Sequence, residues 1–183
     1  MAQKLKTLAV YCGHQYGTAP QFARDAKEVG ELLGKNKFNM VFGGGDVGLM
    51  GTVATAALEN GAHVVGVSTH NVIEKQEPVH EGVEVEIVTG VNERKQKMYD
   101  LSDGFIILPG GIGTLNELTD IMTMQQIGES RKPLFFLNSV KFWSPFGRLF
   151  VHMQHCGFIE NMRDYNIHVG ATPEDLLKII LDY

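Results

Sequence analysis

Gly104-Phe105-Ile106-Ile107-Leu108-Pro109-Gly110-Gly111-Ile112-Gly113-Thr114-Leu115-Asn116-Glu117 runs from an apolar stretch through a glycine turn into a pattern of helical spacing. It reads as strand, tight turn and helix. The glycines let the backbone turn sharply and approach a ligand with no Cβ in the way. The helix that follows points its free N–H groups back at the turn, which makes the junction a ready anion site. Thr114 and Glu117 also stand in the Thr-x-x-Glu spacing of a capping box, in which the two side chains satisfy first-turn amides. On spacing alone the cap is the simpler account.

Working outward, residues 8–12, 39–42, 64–67 and 83–88 are short apolar or weakly alternating runs that read as strands. Residues 104–108, 133–137 and 165–169 continue the series. Helical spacing occupies 20–34, an Ala-rich stretch ending near Asn60-Gly61, 91–101, 114–127 and 144–155. A last helix starts at Thr172-Pro173-Glu174-Asp175, with an N-cap residue, proline at the first helical position and acids in the first turn. Residues 69–82 lack periodicity and read as one long loop, a kind of segment that is often functional. Strands that alternate with helices and are apolar throughout predict a parallel sheet covered on both faces. The expected fold is an α/β, Rossmann-like doubly wound sheet. No repeat or linker divides the chain, so residues 1–183 are expected to form one domain. In such sheets ligands lie beyond the carboxyl ends of the strands, where Gly13, the 43–48 glycine block and the 110–113 turn would converge.

Composition narrows the function classes. The 183 residues are 44% hydrophobic and 20% charged, ordinary for a soluble globular protein. Sixteen basic and 21 acidic side chains give a formal charge of −5, which argues against a nucleic-acid polymer or an anionic membrane as partner. A small anion can still bind a local positive pocket. Cys12 and Cys156 have no metal-type spacing and read as buried thiols of a reducing compartment. The first residues, Met1-Ala2-Gln3-Lys4-Leu5-Lys6, lack a long apolar run, and no stretch reaches membrane-spanning length, so a cytoplasmic location is expected.

Several familiar motifs fit poorly. Gly43, Gly45 and Gly48 match G-x-G-x-x-G, yet they follow the second strand, and the next strand ends in Ser68-Thr69-His70 with no acid for a ribose hydroxyl. No Gly-Lys-Ser/Thr follows a glycine run, and no G-x-S-x-G elbow occurs. His152 and His155 lie three apart with no third ligand in the pattern, so they read as surface histidines, and no metal site is expected. What remains is Arg94 and Lys95 on one helix, and the glycine turn with Thr114 and Glu117 on another. Both helices flank the strand at 104–108, so their ends can face one pocket. A guanidinium and an ammonium beside a helix N-terminus suit a phosphate, and a single carboxylate can stabilise or activate a cationic or protic group. A solvated helix face is the plain alternative for Arg94 and Lys95.

Residues 109–117 resemble the P-G-G-x-G-T-x-x-E signature of the Lonely Guy family, the cytokinin riboside 5′-monophosphate phosphoribohydrolases. Val10-Tyr11-Cys12-Gly13 is similar to the family's opening strand and turn. Phe42-Gly43-Gly44-Gly45 with Gly48-Leu49-Met50-Gly51 resembles its second glycine block, and Glu93-Arg94-Lys95 with Met98 its E-R-K-x-x-M. The resemblance implies hydrolysis of the N-glycosidic bond of an adenine-type nucleoside 5′-monophosphate to free base and ribose 5-phosphate. It implies Glu117 as the catalytic carboxylate and Arg94 as its partner. Gly111, Gly113 and Thr114 would hold the 5′-phosphate, and Ile112, Leu115 and Asn116 of the same stretch would also be substrate-binding. Lys95 and Thr123 would be further substrate contacts, as would Glu77 in the long loop, with Glu74 as its alternative. Gly13, Gly43, Gly44, Gly45 and Met98 form a wider set. No cofactor is implied: members are often labelled lysine decarboxylases, but no pyridoxal-phosphate lysine suggests itself here. A homodimer or larger homo-oligomer is implied as well.

The chain departs from the family pattern at His14-Gln15, where serines are common, at Ile112, where an aromatic residue is usual, and at Gly90-Val91-Asn92, where members usually carry Asp-Met-His. These changes leave Arg94 and Glu117 intact and bear on base preference. The competing class is a non-catalytic carrier, because the expected fold also resembles that of molybdenum cofactor carrier proteins. The Arg94/Glu117 pair distinguishes them, since a carrier does not require it.

Overall fold

A computed structural model describes residues 5–75 and 80–183. Seven strands form one sheet: β1 (Thr7–Tyr11), β2 (Asn39–Phe42), β3 (Val64–Thr69), β4 (Glu84–Val88), β5 (Gly104–Ile107), β6 (Leu134–Leu137) and β7 (Ile167–Gly170). Their order is β4-β3-β2-β1-β5-β6-β7, and every pairing is parallel. The chain builds outward from β1 to β4 and then returns to the other side of β1 to add β5. Ala9 therefore pairs with both Val41 and Phe105. The crevice between β1 and β5 is the switch point where doubly wound sheets bind ligands.

The strands are apolar throughout because both faces are covered. Leu8 and Val10 point into a core shared with α1 (Pro20–Lys35), α2 (Gly48–Glu59) and α7 (Pro173–Asp182). Ala9 and Tyr11 point into a second core shared with α4 (Val91–Leu101), α5 (Ile112–Gln126) and α6 (Ser144–His155). This is the period-two consequence of a strand buried on both sides. The exposed edge strand β4 is the exception, carrying Glu84 and Glu86, and Lys97 of α4 pairs with Glu86 at 2.9 Å. Charge on an edge discourages pairing with another chain. The α7 start matches the sequence reading: the Thr172 hydroxyl accepts the Asp175 N–H at 3.2 Å.

Three expectations change. Part of the long loop is helical: β3 runs to Thr69, and α3 (His70–Lys75) follows, its first turn closed by the Thr69 hydroxyl accepting the Val72 N–H at 3.3 Å. Six residues are too few to register as a helical period. Cys12 is buried as expected, whereas Cys156, just past α6, is exposed. Finally, α5 begins at Ile112, two residues before Thr114, with a consequence for the capping box described below.

Candidate active site

The three glycine-bearing turns meet at the sheet's carboxyl edge. The Gly13 N–H donates to the Pro109 carbonyl at 3.0 Å, and the Gly13 carbonyl accepts the Leu49 N–H at 3.2 Å. These bonds tie the turns after β1, β2 and β5 together. The N-cap of α5 is Gly111, which has no side chain to bond the first-turn amides. Thr114 is the third residue of the helix and is buried. The Thr-x-x-Glu spacing is therefore not a capping box. Gly111 stands where a capping side chain would be, which leaves the positive end of the helix open to an anion. A Cβ on Gly110 would collide with the Thr114 hydroxyl, so the turn packs directly on that side chain.

Arg94 reaches the same place from α4. Its Nε donates to the Val67 carbonyl at 2.8 Å and its Nη2 to the Gly43 carbonyl at 3.1 Å. Nη1 lies 3.6 Å from Glu117 Oε1, and each side chain is only 13% exposed. Two carbonyls and one carboxylate thus surround the buried guanidinium, which a lone partner would leave poorly compensated. Below them sits Tyr11, buried and stacked on Phe105 with ring centroids 5.6 Å apart. Burial foremost, then the Glu117 charge, holds its phenol well above the usual range against the lowering effect of Arg94, with Asp120 adding to the rise. Tyr11 is therefore a neutral floor to the charge pair.

Arg94, Glu117, Gly111, Gly113, Thr114 and Gly43 line one cavity of about 130 Å3. Gly13 and Ile112 also face it, Ile112 as a largely exposed side chain at the rim. A model of the family described as possible lysine decarboxylase matches residues 50–180. The cytokinin riboside 5′-monophosphate phosphoribohydrolase of Rhodococcoides fascians is 36% identical over 155 residues, covering 84% of this chain and 78% of that protein. The enzyme of the same name, LOG, from Oryza sativa subsp. japonica is 37% identical over 180 residues, covering 96% of this chain and 73% of its own. The chain belongs to the Lonely Guy family. Its fold is shared more widely: the molybdenum cofactor binding protein of Rippkaea orientalis superposes with a TM-score of 0.70 at 21% identity, covering 100% of this chain and 98% of that one.

Not every residue that the family resemblance implies reaches the cavity. Lys95 points across to α5, where Nζ donates to Asn116 Oδ1 at 3.1 Å and pairs with Asp120. Asn116 is thus engaged outside the cavity, and Leu115 packs against the second core. The Thr123 hydroxyl donates to the Thr119 carbonyl at 2.8 Å. Nine residues beyond Thr114, it lies about 13 Å farther along the helix axis. Met98 is wholly buried core, and Gly44 and Gly45 lie buried in the turn behind Gly43. The Gly44 carbonyl accepts the His80 N–H at 3.0 Å. Glu77 lies outside the described residues, and Glu74 is an exposed residue of α3.

The cavity also has walls that the sequence reading did not name as site residues. Cys12, His14, Met50 and Val72 line it. The first three adjoin glycines already singled out, which was the available signal; Val72 sits on the helix that had no readable period. Among the described residues no group of three or more His, Cys, Asp or Glu side chains is placed to hold a metal ion. His152 instead packs its ring against Cys156 Sγ at 3.6 Å. No helix among them is long and apolar enough to cross a membrane.

Proposed function

We propose that this protein hydrolyses the N-glycosidic bond of adenine-type nucleoside 5′-monophosphates, AMP or its N6-prenylated riboside analogues, to free base and ribose 5-phosphate. The observation that carries this reading is the Arg94–Glu117 pair at 3.6 Å on the wall of the cavity into which α5 opens. The 5′-phosphate sits on the amides of Gly111, Gly113 and Thr114, where the helix dipole favours an anion. That places the sugar one turn along, above Glu117. As the C1′–N bond breaks, its electron pair leaves with the base and positive charge builds on the sugar. The Glu117 carboxylate stabilises that charge and takes a proton from the water whose oxygen bonds to C1′. Arg94 pairs with the Glu117 carboxylate and holds it in place, and the proton that Glu117 takes from the water ends on the departing base. A carrier would need the phosphate site but no carboxylate held beneath the sugar.

The whole chain would act as one catalytic domain in a homodimer or larger homo-oligomer, a reading supported by exposed apolar side chains such as Ile127, Leu149 and Phe158. Chromatography of base and ribose 5-phosphate after incubation with AMP or prenyl-adenosine monophosphate tests the reaction. The Glu117→Gln variant is expected to lose about a hundredfold to a thousandfold or more in rate while still binding nucleotide. Saturable nucleotide binding by the wild-type protein without base release would establish the carrier instead.

A further inference from the structure

The glycine turn after β2 is held by more than Arg94. His80, 6% exposed, lies just ahead of β4 and meets that turn on both sides of Gly43. Before the glycine, the His80 ring stands edge-on to the wholly buried Phe42, with centroids 6.2 Å apart. After it, the His80 N–H donates to the Gly44 carbonyl at 3.0 Å, and His80 Nε2 lies 3.5 Å from Asp46 Oδ1. Nε2 also stands 3.0 Å from the Thr55 hydroxyl on α2. One imidazole thus fastens the turn to α2 and to the segment that leads into β4.

The partners decide where the ring carries its hydrogen. Nδ1 is 2.6 Å from the Glu81 carbonyl, which can only accept, so Nδ1 is the donor. In the neutral ring Nε2 is then the acceptor, and the Thr55 hydroxyl donates to it. Neither nitrogen of the buried ring lacks a partner, as burial requires. What this clasp encloses is Gly43, whose carbonyl accepts Arg94 Nη2 at 3.1 Å, with the guanidinium in the space that a Cβ would need. Nη1 of the same guanidinium lies 3.6 Å from Glu117 Oε1. A small displacement of Gly43 therefore passes through Arg94 to the carboxylate. His80 itself is not among the described residues that line the cavity.

We infer that His80 is a positioning residue: its ring ties the turn at 42–46 to α2 and so sets the Gly43 carbonyl that seats the Arg94 guanidinium beside Glu117. Its effect on rate rests on the hydrolytic reading above, whereas the seating of Arg94 is observable without turnover.

Two measurements test it: steady-state release of base from AMP, and the nuclear magnetic resonance signal of the Arg94 Nε–H, assigned by its loss in Arg94→Lys. His80→Phe keeps a ring against Phe42 and removes both ring hydrogen bonds. It is expected to move the Arg94 signal and to lower kcat by about tenfold to a hundredfold, the scale of small misplacements at an active site. Affinity for ribose 5-phosphate, whose phosphate sits on α5, stays within about twofold. His80→Gln, whose amide reaches the place of Nε2, keeps the wild-type signal and most of kcat. Thr55→Val, at an exposed position of α2, serves if His80→Phe does not fold. It is expected to displace the Arg94 signal and lower kcat by about twofold to fivefold, up to the equivalent of one neutral hydrogen bond. An unchanged Arg94 signal and kcat in folded His80→Phe, or in Thr55→Val in its place, would overturn the positioning role. So would a lower melting temperature with the Arg94 signal and kcat of the folded fraction at their wild-type values. Wild-type protein that releases no base from any purine monophosphate would overturn the hydrolytic reading, while a displaced signal in His80→Phe would still support the seat.

Discussion

The guanidinium of Arg94 fills the space that a Cβ on Gly43 would occupy, and its Nη2 donates to the Gly43 carbonyl at 3.1 Å. The requirement for glycine there is steric: Gly43 is not among the residues of positive φ, so alanine could adopt its backbone conformation. Gly43→Ala must therefore displace the Arg94 guanidinium from its seat beside Glu117. The expected result is a loss of about a hundredfold or more in kcat for base release, with a far-ultraviolet circular dichroism spectrum and melting temperature near those of the wild type. Unchanged kcat in the folded variant would show that Arg94 can do its work from elsewhere.

Thr114 offers a cleaner probe of the anion site. Its side chain is buried at the third position of α5 and faces the cavity. Thr114→Val keeps the shape and removes the hydroxyl. If that hydroxyl donates to the 5′-phosphate, KM rises by about tenfold, the equivalent of one hydrogen bond to a charged group, with a smaller effect on kcat. Titration calorimetry with ribose 5-phosphate should show the same loss of affinity. Equal affinities for the two proteins would exclude the hydroxyl from phosphate binding.

Strain lies in the corner after β6. Val140 and Lys141 have φ of 45° and 59°, left-handed values that L residues seldom adopt. Neighbouring contacts hold the corner: the Ser139 hydroxyl donates to the buried Asp25 carboxylate, and Asn138 Oδ1 accepts the Trp143 N–H at 2.8 Å. A β-branched residue is the least suited to this region, and the Val140 side chain is 59% exposed, so little packing is lost with it. Val140→Gly is expected to stabilise the protein by about 0.5–1 kcal/mol, after subtracting the greater unfolded freedom of glycine. Differential scanning calorimetry should register a melting temperature higher by about 1–4 °C. A lower value would mean that the valine side chain contributes more than its strain costs.

A carboxyl pair links α1 to α7. Hydrogen bonding to Glu174, then partial burial and the charges of Glu174, Asp25 and Glu31, raise Glu28 from 4.5 to about 7. Glu174 moves the other way, chiefly because it accepts that hydrogen bond. Between about 4.5 and about 7 the folded protein holds a proton on Glu28 that the unfolded chain has shed. Its contribution to stability is therefore complete below that window and is lost as pH rises through it. The Glu174 contribution has the opposite sign and falls away only as pH drops below its unfolded value of 4.5. Glu28→Gln, which can donate to Glu174 at any pH, is expected to flatten the decline in melting temperature across the upper window. Parallel pH profiles for variant and wild type would rule the pair out as a source of pH dependence.

The amino-acid sequence by itself determined the class of fold and half of the chemistry. Runs such as 104–108, short and apolar at every position, read as strands covered on both faces, and their alternation with helical spacing points to a doubly wound sheet. Arg94, Glu117 and the glycine turn were legible because their types and spacing match a family signature. Strand order was not, since each strand shows its burial but not its neighbour; pairing of β1 with both β2 and β5 is what creates the crevice. Nor was the direction of each side chain. Thr-x-x-Glu reads the same wherever a helix begins, and only the start of α5 at Ile112 turns Thr114 and Glu117 from a cap into cavity walls. Arg94 and Lys95 are adjacent cations in the sequence, yet the 100° step of the helix sends one to the cavity and the other to Asp120. Residue type fixes what a side chain can do, and the packing of helices on the sheet decides what it meets.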